Sequence, residues 1–173
     1  MKGQSTRSAP RARKFGESRG KHDHQRCMAR AMRTAEKVCA ERDLQLTPIR
    51  RRVLELIWQR HAPIGAYDIL GSLKKHEGAL APPTVYRALE FLLEAGLIHR
   101  IDALNAFVGC EMPDSEHAGQ FLICRSCQSV TELEDASITQ LIRKKALAAG
   151  FAPDAQEVEI KGICAQCRKR ADA

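Results

Sequence analysis

The chain has 173 residues, of which 44% are hydrophobic and 28% are charged, and its formal net charge is +7. A chain of this length can form one domain or two small ones with a modest core. It holds no apolar run of about 18 residues that would cross a membrane, and its basic start lacks the apolar stretch of a signal peptide. We therefore expect a cytoplasmic protein without a membrane partner.

The positive charge is concentrated at the start of the chain. Residues 1–26 contain eight Lys or Arg against two Asp or Glu, whereas residues 103–173 contain eight against ten. Because residues 1–25 also lack large apolar side chains almost entirely, we predict a basic arm that is disordered or folds only on binding. Such an arm could follow the phosphates of DNA, but a solvated tail fits this composition equally well.

Four helices are predicted after the arm, because apolar residues recur there at three- and four-residue spacing. Thr47 is a good N-cap and Pro48 a good first-turn residue, and Gly96 is a typical residue to end a helix. Cys27 and Cys39 lie in the first helical pattern, where a free cysteine acts as a small hydrophobe. The predicted helices and their inward residues are 26–43 (Met28, Met32, Ala35, Val38, Cys39), from Pro48 onward (Ile49, Val53, Leu56, Ile57), 66–75 (Ile69, Leu70, Leu73) and 84–95 (Val85, Ala88, Leu89, Leu92).

Two short apolar runs, residues 97–101 and 106–110, follow the fourth helix with a turn at 103–105 between them. Helices followed by such a hairpin form a winged helix-turn-helix, in which the last helix enters the major groove of DNA. An arginine on that helix can donate two hydrogen bonds to a guanine. The alternative is a helical packing module whose Arg and Tyr side chains are only solvated. The residues predicted to contact DNA are Thr84, Tyr86 and Arg87 on the fourth helix and Arg50, Arg51 and Arg52 at the start of the second.

A second, smaller domain is predicted behind a hinge that contains Pro113 and Gly119. Its strands are expected at 120–124, 129–133 and 156–161, with a helix at 136–149 that ends at Gly150. The predicted fold class is therefore mixed α/β (α+β). The predicted boundaries are a basic arm at 1–25, a winged-helix DNA-binding domain at 26–102, the hinge at 103–119 and a dimerisation and metal-binding domain at 120–173.

Two Cys-x-x-Cys pairs lie in the C-terminal domain: Cys124 with Cys127, and Cys164 with Cys167. Four thiolates are the ligand set of a closed tetrahedral zinc site, which leaves no position open for a substrate or a water molecule. Because 36 residues separate the two pairs, the metal would clamp the start of this domain to its end. We predict a structural zinc, with a redox dithiol pair as the alternative.

A second set of metal-ligating side chains is spread over the wing, the hinge and the C-terminal domain. It consists of His99, Cys110, His117 and Glu132. Each has a simple structural interpretation alone, but two imidazoles, a thiolate and a carboxylate together suit tetrahedral zinc. Such a site would fasten one domain to the other. Four protein ligands leave no room for an activated water, so we do not expect an enzyme.

The run Pro83-Thr84-Val85-Tyr86-Arg87-Ala88-Leu89, followed by a wing and two Cys-x-x-Cys pairs, resembles the ferric uptake regulator family of bacterial metal-responsive repressors. The resemblance covers about residues 27–170, and the longer run 82–94 is most similar to the branch of zinc uptake regulators. It implies a homodimer formed through the C-terminal sheets and binding to double-stranded, palindromic operator DNA. It also implies DNA contacts by Tyr67 and Arg87, and zinc sensing by His99, Cys110, His117 and Glu132.

The function that this resemblance implies is a zinc-responsive repressor of zinc uptake genes. Zinc would be the co-repressor, with a structural and a regulatory ion in each monomer and no small-molecule substrate. Iron-sensing relatives carry a His-His-x-His cluster before the first Cys-x-x-Cys, whereas this chain has only His117 there, which argues against iron. Sensing of iron, nickel or manganese and a thiol redox switch stay open as alternatives. The resemblance does not explain the basic arm.

Overall fold

A computed structural model of the chain describes residues 11–14, 24–59, 62–77, 81–113 and 118–171. None of its described helices combines the length and the apolar character needed to cross a membrane. The helices are α1 (His24–Glu41), α2 (Pro48–Trp58), α3 (Ala66–Glu77), α4 (Pro82–Glu94), α5 (Ala136–Ala148) and α6 (Ala165–Ala171). The strands are β1 (Arg11–Lys14), β2 (Ile64–Gly65), β3 (Ile98–Ile101), β4 (Ala106–Gly109), β5 (Gly119–Cys124), β6 (Val130–Glu134) and β7 (Glu157–Gly162), and a 3-10 turn spans Asp102–Leu104.

The four helices predicted before the wing all form, because each has an apolar face that its neighbours cover. Helix α2 contacts α1, α3 and α4. The predicted inward residues are buried, apart from Met28, Ile49 and Leu70, which are half-buried against the same core. Leu54, Trp58 and Phe91 are also buried, although the helical spacing alone did not select them. The result is one helical core with α2 at its centre.

The ends of these helices follow the predicted local chemistry. Thr47 precedes α2 in an extended conformation and Pro48 opens the helix, but the Thr47 side chain makes no capping hydrogen bond. Gly96 follows α4 with a φ of +68°, a conformation that glycine adopts without strain. The N–H of Leu97 then donates to the carbonyl of Leu92 at 2.9 Å, which closes the helix end and starts the wing.

The wing is an antiparallel hairpin of β3 and β4, and β2 pairs with the other edge of β4. His99 lies opposite Val108 in this register. Since β4 belongs to the same sheet as β3, residues 103–109 are part of the wing, and the prediction that they begin the hinge is wrong. The N–H of Cys110 donates to the carbonyl of Leu97 at 3.0 Å, so the hairpin continues to that residue.

The second sheet has the order β1-β6-β5-β7. Strands β5 and β6 pair antiparallel, whereas β5 and β7 pair parallel, and α5 lies between β6 and β7 in the chain. The side-chain amide of Gln120 fastens α5 to this sheet by donating to the carbonyl of Asp135 and to Thr139 Oγ1, both at 2.9 Å. The predicted strands and helix of this region are confirmed, and α6 is an additional element.

The basic arm contributes a strand that the sequence analysis did not predict. Residues Arg11–Lys14 form β1, which pairs with β6 so that Arg11 lies opposite Glu134 and Arg13 opposite Glu132. The sequence analysis predicted an arm that is disordered or folds only on binding, whereas these four residues form a strand in the structure. The pairing partner β6 lies more than a hundred residues later in the chain, so the composition of the arm alone does not reveal it. The rest of the predicted arm before His24, residues 1–10 and 15–23, lies outside the described residues.

The wing contributes to two apolar cores. Its residues Leu97, Ile98 and Phe107 belong to the core of the helices. Its residues Ile101 and Val108 instead pack with the C-terminal sheet, in a second core completed by Phe121, Ile123 and Val130. The position of the wing is therefore coupled to both parts of the molecule.

Candidate metal centres and nucleic-acid surface

The four cysteines of the Cys-x-x-Cys pairs meet at one end of the C-terminal sheet. Their Sγ atoms all lie within 4.8 Å of one another, and those of Cys127 and Cys164 are 3.8 Å apart. All are free thiols rather than disulfides. Thiolates bound at about 2.3 Å to a tetrahedral zinc lie about 3.8 Å from each other, so this spacing suits the ion. Within the described ranges, no other group of three or more His, Cys, Asp or Glu side chains brings its ligand atoms together.

Turns at the ends of two strands aim these thiols at one point. Cys124 ends β5, and the N–H of Gln128 donates to the Cys124 carbonyl at 2.9 Å, which folds the knuckle back toward Cys127. Cys164 follows β7, and Cys167 lies in the first turn of α6. The N–H of Cys164 donates to Cys124 Sγ at 3.3 Å, so the backbone joins the two pairs as well.

The thiols of this cluster ionise unequally. Hydrogen bonds from the backbone N–H groups of Cys127 and Cys164 lower the pKa of Cys124 to about 6. The Ser129 hydroxyl lowers the pKa of Cys127. The hydrogen bond with Ser126 lowers the pKa of Cys167, but the neighbouring sulfurs raise it more, to about 11. Four thiolates in so small a volume repel one another, and a divalent cation removes that obstacle to their ionisation.

The wing meets the C-terminal sheet at His99 and Glu132. His99 Nε2 lies 3.8 Å from Glu132 Oε1, and the two side chains are 11% and 3% exposed. Nitrogen and oxygen ligands at about 2.1 Å from a tetrahedral zinc are about 3.4 Å apart, so a small closure would let both bind one ion. This pair therefore joins a potential metal ligand from each part of the molecule.

Two residues without a predicted role shape the surroundings of His99. The ring of Phe121 contacts the imidazole edge-on, with a centroid distance of 5.3 Å and an interplanar angle of 61°. A Cβ atom at Gly119 would lie 2.7 Å from the Phe121 ring and 3.6 Å from His99 Nδ1. The Phe121 ring can therefore take the position in which it contacts His99 because residue 119 is a glycine.

The other two predicted regulatory ligands are placed differently. Cys110 is buried at the end of the wing, but its thiol does not join His99 and Glu132 in a group with metal-ligand spacing among the described residues. It lines a cavity of about 240 Å³ between α1, α2 and the wing, together with Cys27 and Glu111. Burial and then the charge of Glu111 raise the pKa of Cys27. His117 lies outside the described residues, so two of the four predicted ligands are brought together.

The first turn of α3 and the second turn of α4 carry exposed aromatic side chains. Tyr67 is 78% exposed and Tyr86 is 44% exposed, Arg87 is exposed and Thr84 is half-buried. The apolar stripe of α4 faces the core, so Tyr86 and Arg87 lie on the outer surface. Large aromatic side chains held in solvent are typical of an interaction site.

The three arginines at the start of α2 have intramolecular partners. The Arg50 guanidinium lies 3.6 Å from the centroid of the Phe91 ring and donates to the Gln45 carbonyl at 2.6 Å. Arg51 pairs with Glu36, and Arg52 donates to Glu55 at 3.0 Å. These contacts connect α2 to α1 and α4. A role of the three arginines in DNA binding stays a prediction.

Sequence reasoning missed Glu159 on β7. Its carboxylate accepts hydrogen bonds from the backbone N–H groups of Asp102 and Ala103, in the turn of the wing. The acidic residues of β7 alternate, as on a strand with a solvated face, and this pattern gave no signal of a contact with a distant turn.

Comparison with known proteins identifies the family of this chain, which combines a winged helix with a sheet that ends in a cluster of four cysteines. A model of the ferric uptake regulator family matches residues 41–161. The chain belongs to the ferric uptake regulator family. The zinc uptake regulation protein of Escherichia coli (strain K12) is 40% identical to this family member over 134 residues, which cover 77% of this chain and 78% of the relative.

Solved structures also resemble this ferric uptake regulator family member. A zinc uptake regulator complexed with zinc and DNA is 36% identical, with a TM-score of 0.78 over 88% of this chain and 100% of that chain. Holo XcZur is 45% identical, with a TM-score of 0.74 over 80% of this chain and 96% of its own. Apo XcZur is 42% identical, yet its TM-score is 0.50, over 83% of this chain and 99% of its own. The chain is thus closer in shape to the holo form of that relative than to its apo form.

Proposed function

We propose that this protein is a zinc-responsive transcriptional repressor that binds palindromic operator DNA as a homodimer and controls zinc uptake genes. The proposal rests on the pair His99 and Glu132, in which a potential metal ligand on the wing faces another on the C-terminal sheet. The relatives named above as zinc uptake regulators, one of them complexed with zinc and DNA, support the choice of zinc and of DNA.

The regulatory site is proposed to be formed by His99, Cys110, His117 and Glu132. When bound there, zinc would join ligands of the two parts of the chain and so favour one orientation of the wing. His99 supplies this coupling from β3, which packs in the winged-helix sheet, and Glu132 supplies it from β6. The greater similarity to the holo form than to the apo form of XcZur supports an arrangement that differs with metal occupancy.

The Cys-x-x-Cys cluster is proposed to hold a second, structural zinc. Cys124, Cys127, Cys164 and Cys167 provide four ligands and leave no open position, so this ion would hold β5, β7 and α6 together without sensing free zinc. The proposed total is two zinc ions per monomer.

The partner surface for a second copy is proposed to lie on α5 and the end of β7. Large apolar side chains there are between 38% and 66% exposed, and contact of so much apolar surface with water is unfavourable. A second copy of the chain would cover them. These side chains are Leu141, Ile142, Leu147, Phe151, Ile160 and Ile163.

DNA contact is proposed to involve Tyr67, Thr84, Tyr86 and Arg87, with Arg50, Arg51 and Arg52 in supporting positions. Helix α4 would enter the major groove with its first turn, and the dimer would place its two copies in successive grooves, about 34–36 Å apart. The orientation of the wing fixes this separation, which is how occupancy of the regulatory site would change operator affinity.

A metal titration of operator binding tests the function. The full chain is stripped of the regulatory metal, and its affinity for operator DNA is measured against free zinc, iron, manganese and nickel at fixed salt concentration. Zinc is expected to restore binding at the lowest free concentration. Restoration by another metal at a lower concentration would favour a sensor of that metal instead, and loss of binding on mild oxidation alone would favour a redox switch.

A further inference from the structure

A carboxylate on β7 binds the turn of the wing through both of its oxygen atoms. Glu159 Oε1 accepts a hydrogen bond from the N–H of Asp102 at 2.5 Å, and Glu159 Oε2 accepts one from the N–H of Ala103 at 2.9 Å. Hydrogen bonds to an ionised acceptor are roughly twice as strong as those between neutral groups. The contact therefore ties the last strand of the C-terminal sheet to a wing turn more than 50 residues earlier in the chain.

The turn that Glu159 binds follows β3 directly, and β3 carries His99. Ala103 and Leu104 of the same turn pack against the second core, so apolar burial acts at the same place as the hydrogen bonds. On the other side of the contact, Glu159 lies opposite Phe121 in the register of β7 and β5. The Phe121 ring in turn contacts His99. Glu159 thus binds the wing turn from β7, the strand next to β5, and β5 carries the Phe121 ring that contacts the His99 imidazole.

Charges of both signs surround the contact between Glu159 and the wing turn. Burial raises the pKa of Glu157, and the charges of Asp102 and Glu159 raise it further. The charge of Arg100 lowers the pKa of Glu157, and the Arg100 side chain donates to Asp102 at 2.8 Å. On the wing, Arg100 attracts the carboxylate of Glu157 and Asp102 repels it, so the two charges oppose each other and general charge attraction alone does not hold the wing turn to β7. The directed hydrogen bonds of Glu159 provide the attraction.

We infer that Glu159 is a positioning residue of the zinc response: it holds the wing against β7 so that His99 faces Glu132 before metal binds. The inference rests on the proposed function. If the hydrogen bonds are lost, a smaller fraction of molecules has the two ligands opposed, and the apparent affinity for zinc falls by that fraction. Saturating zinc still selects the same arrangement, so the highest operator affinity is kept.

The test compares Glu159→Gln with Glu157→Gln in the full chain. Both substitutions remove one carboxylate charge from β7, but only Glu159 binds the wing turn. Free zinc is titrated while operator binding is measured, and amide hydrogen exchange is followed at residues 102 and 103. Glu159→Gln is expected to raise the zinc concentration for half-maximal binding about ten-fold, within the usual range of coupling between sites, and to speed exchange at both amides. Glu157→Gln is expected to match the wild type in both measurements.

Three results would overturn the inference. One is a zinc midpoint for Glu159→Gln equal to that of Glu157→Gln in a protein that responds to zinc. Another is a loss of operator binding that saturating zinc does not restore, because that loss marks a residue needed for folding. If Glu159→Gln does not fold, Glu159→Asp is measured in its place, since it keeps the charge but shortens the reach to the turn. A wild type that binds operator equally with and without zinc would overturn the proposed function itself, and with it this inference.

Discussion

Glu132 places a carboxylate inside the molecule, where its side chain is 3% exposed and faces His99. Burying a carboxylate costs free energy unless positive charge or hydrogen bonds compensate for the lost water. A cation held between Glu132 and His99 would place positive charge beside the carboxylate, and the imidazole would supply a second ligand. The residue-scale account of the regulatory site therefore depends on charge balance as well as on distance.

Arg87 tests DNA recognition at the scale of one side chain. Arg87→Ala is expected to weaken operator binding by roughly 1–3 kcal/mol, because a bidentate contact to guanine would be lost. Arg125→Ala is the matched control, since it removes the same charge from an exposed turn that follows β5 in the C-terminal part. Affinities for operator and random DNA at the same salt concentration provide the measurement. An equal loss on both DNAs would make Arg87 a phosphate contact instead.

The structural metal cluster is tested by a single thiol. Cys124→Ser is expected to lower bound zinc by one ion per chain and to leave the protein unfolded or monomeric, because the cluster joins the two ends of the C-terminal part. Cys27→Ser is the control, since Cys27 is half-buried and lies outside the cluster. Native mass spectrometry and circular dichroism provide the readouts. A folded Cys124→Ser dimer with unchanged zinc content would contradict the assignment.

At the scale of elements, the wing depends on a close contact between β4 and α2. A Cβ atom at Gly109 would lie 2.3 Å from the ring of Trp58, whose side chain is buried in the helical core. Gly109→Ala is therefore expected to destabilise the protein by roughly 1–3 kcal/mol, because the ring or the strand must move. Gly71→Ala is the matched control, since nothing lies within 4 Å of a Cβ atom at that exposed position of α3.

The control substitution Gly71→Ala is itself expected to change the stability of the protein. Alanine within a helix is favoured over glycine by about 1 kcal/mol, so Gly71→Ala should raise the unfolding temperature. Denaturant and thermal unfolding of both variants provide the comparison. If both substitutions shifted stability in the same direction, the contact of Gly109 with Trp58 would not be the constraint described.

Helices and strands with a local signal were predictable from the sequence. The helical spacing before the wing and the knuckles of the two Cys-x-x-Cys pairs are local, so α1 to α4 and the thiol cluster were anticipated. Strand β1 was not, because its pairing with β6 depends on residues more than a hundred positions away. Glu159 was missed for the same reason, since its partners are backbone amides of a distant turn. The meeting of His99 with Glu132 was predicted from the metal-ligand chemistry of the set and from the family resemblance, and not from local spacing.

At the scale of the whole molecule, the wing occupies the position through which the two parts influence each other. It contributes apolar residues to both cores, carries His99 and receives the hydrogen bonds of Glu159. A ligand that binds both His99 and Glu132 therefore acts on the orientation of the DNA-binding helices through a single element. Linkage requires that operator DNA tighten zinc binding by the same factor by which zinc tightens operator binding.

Zinc-dependent operator binding by His99→Ala is the most direct measurement of this account. The full-length variant is titrated with zinc beside the wild type, with dimer mass and structural zinc content measured on the same samples. The account predicts a folded dimer that keeps its Cys-bound zinc and whose operator affinity no longer rises with free zinc. A variant that responds to zinc as the wild type does would contradict the claim that His99 belongs to the sensing site.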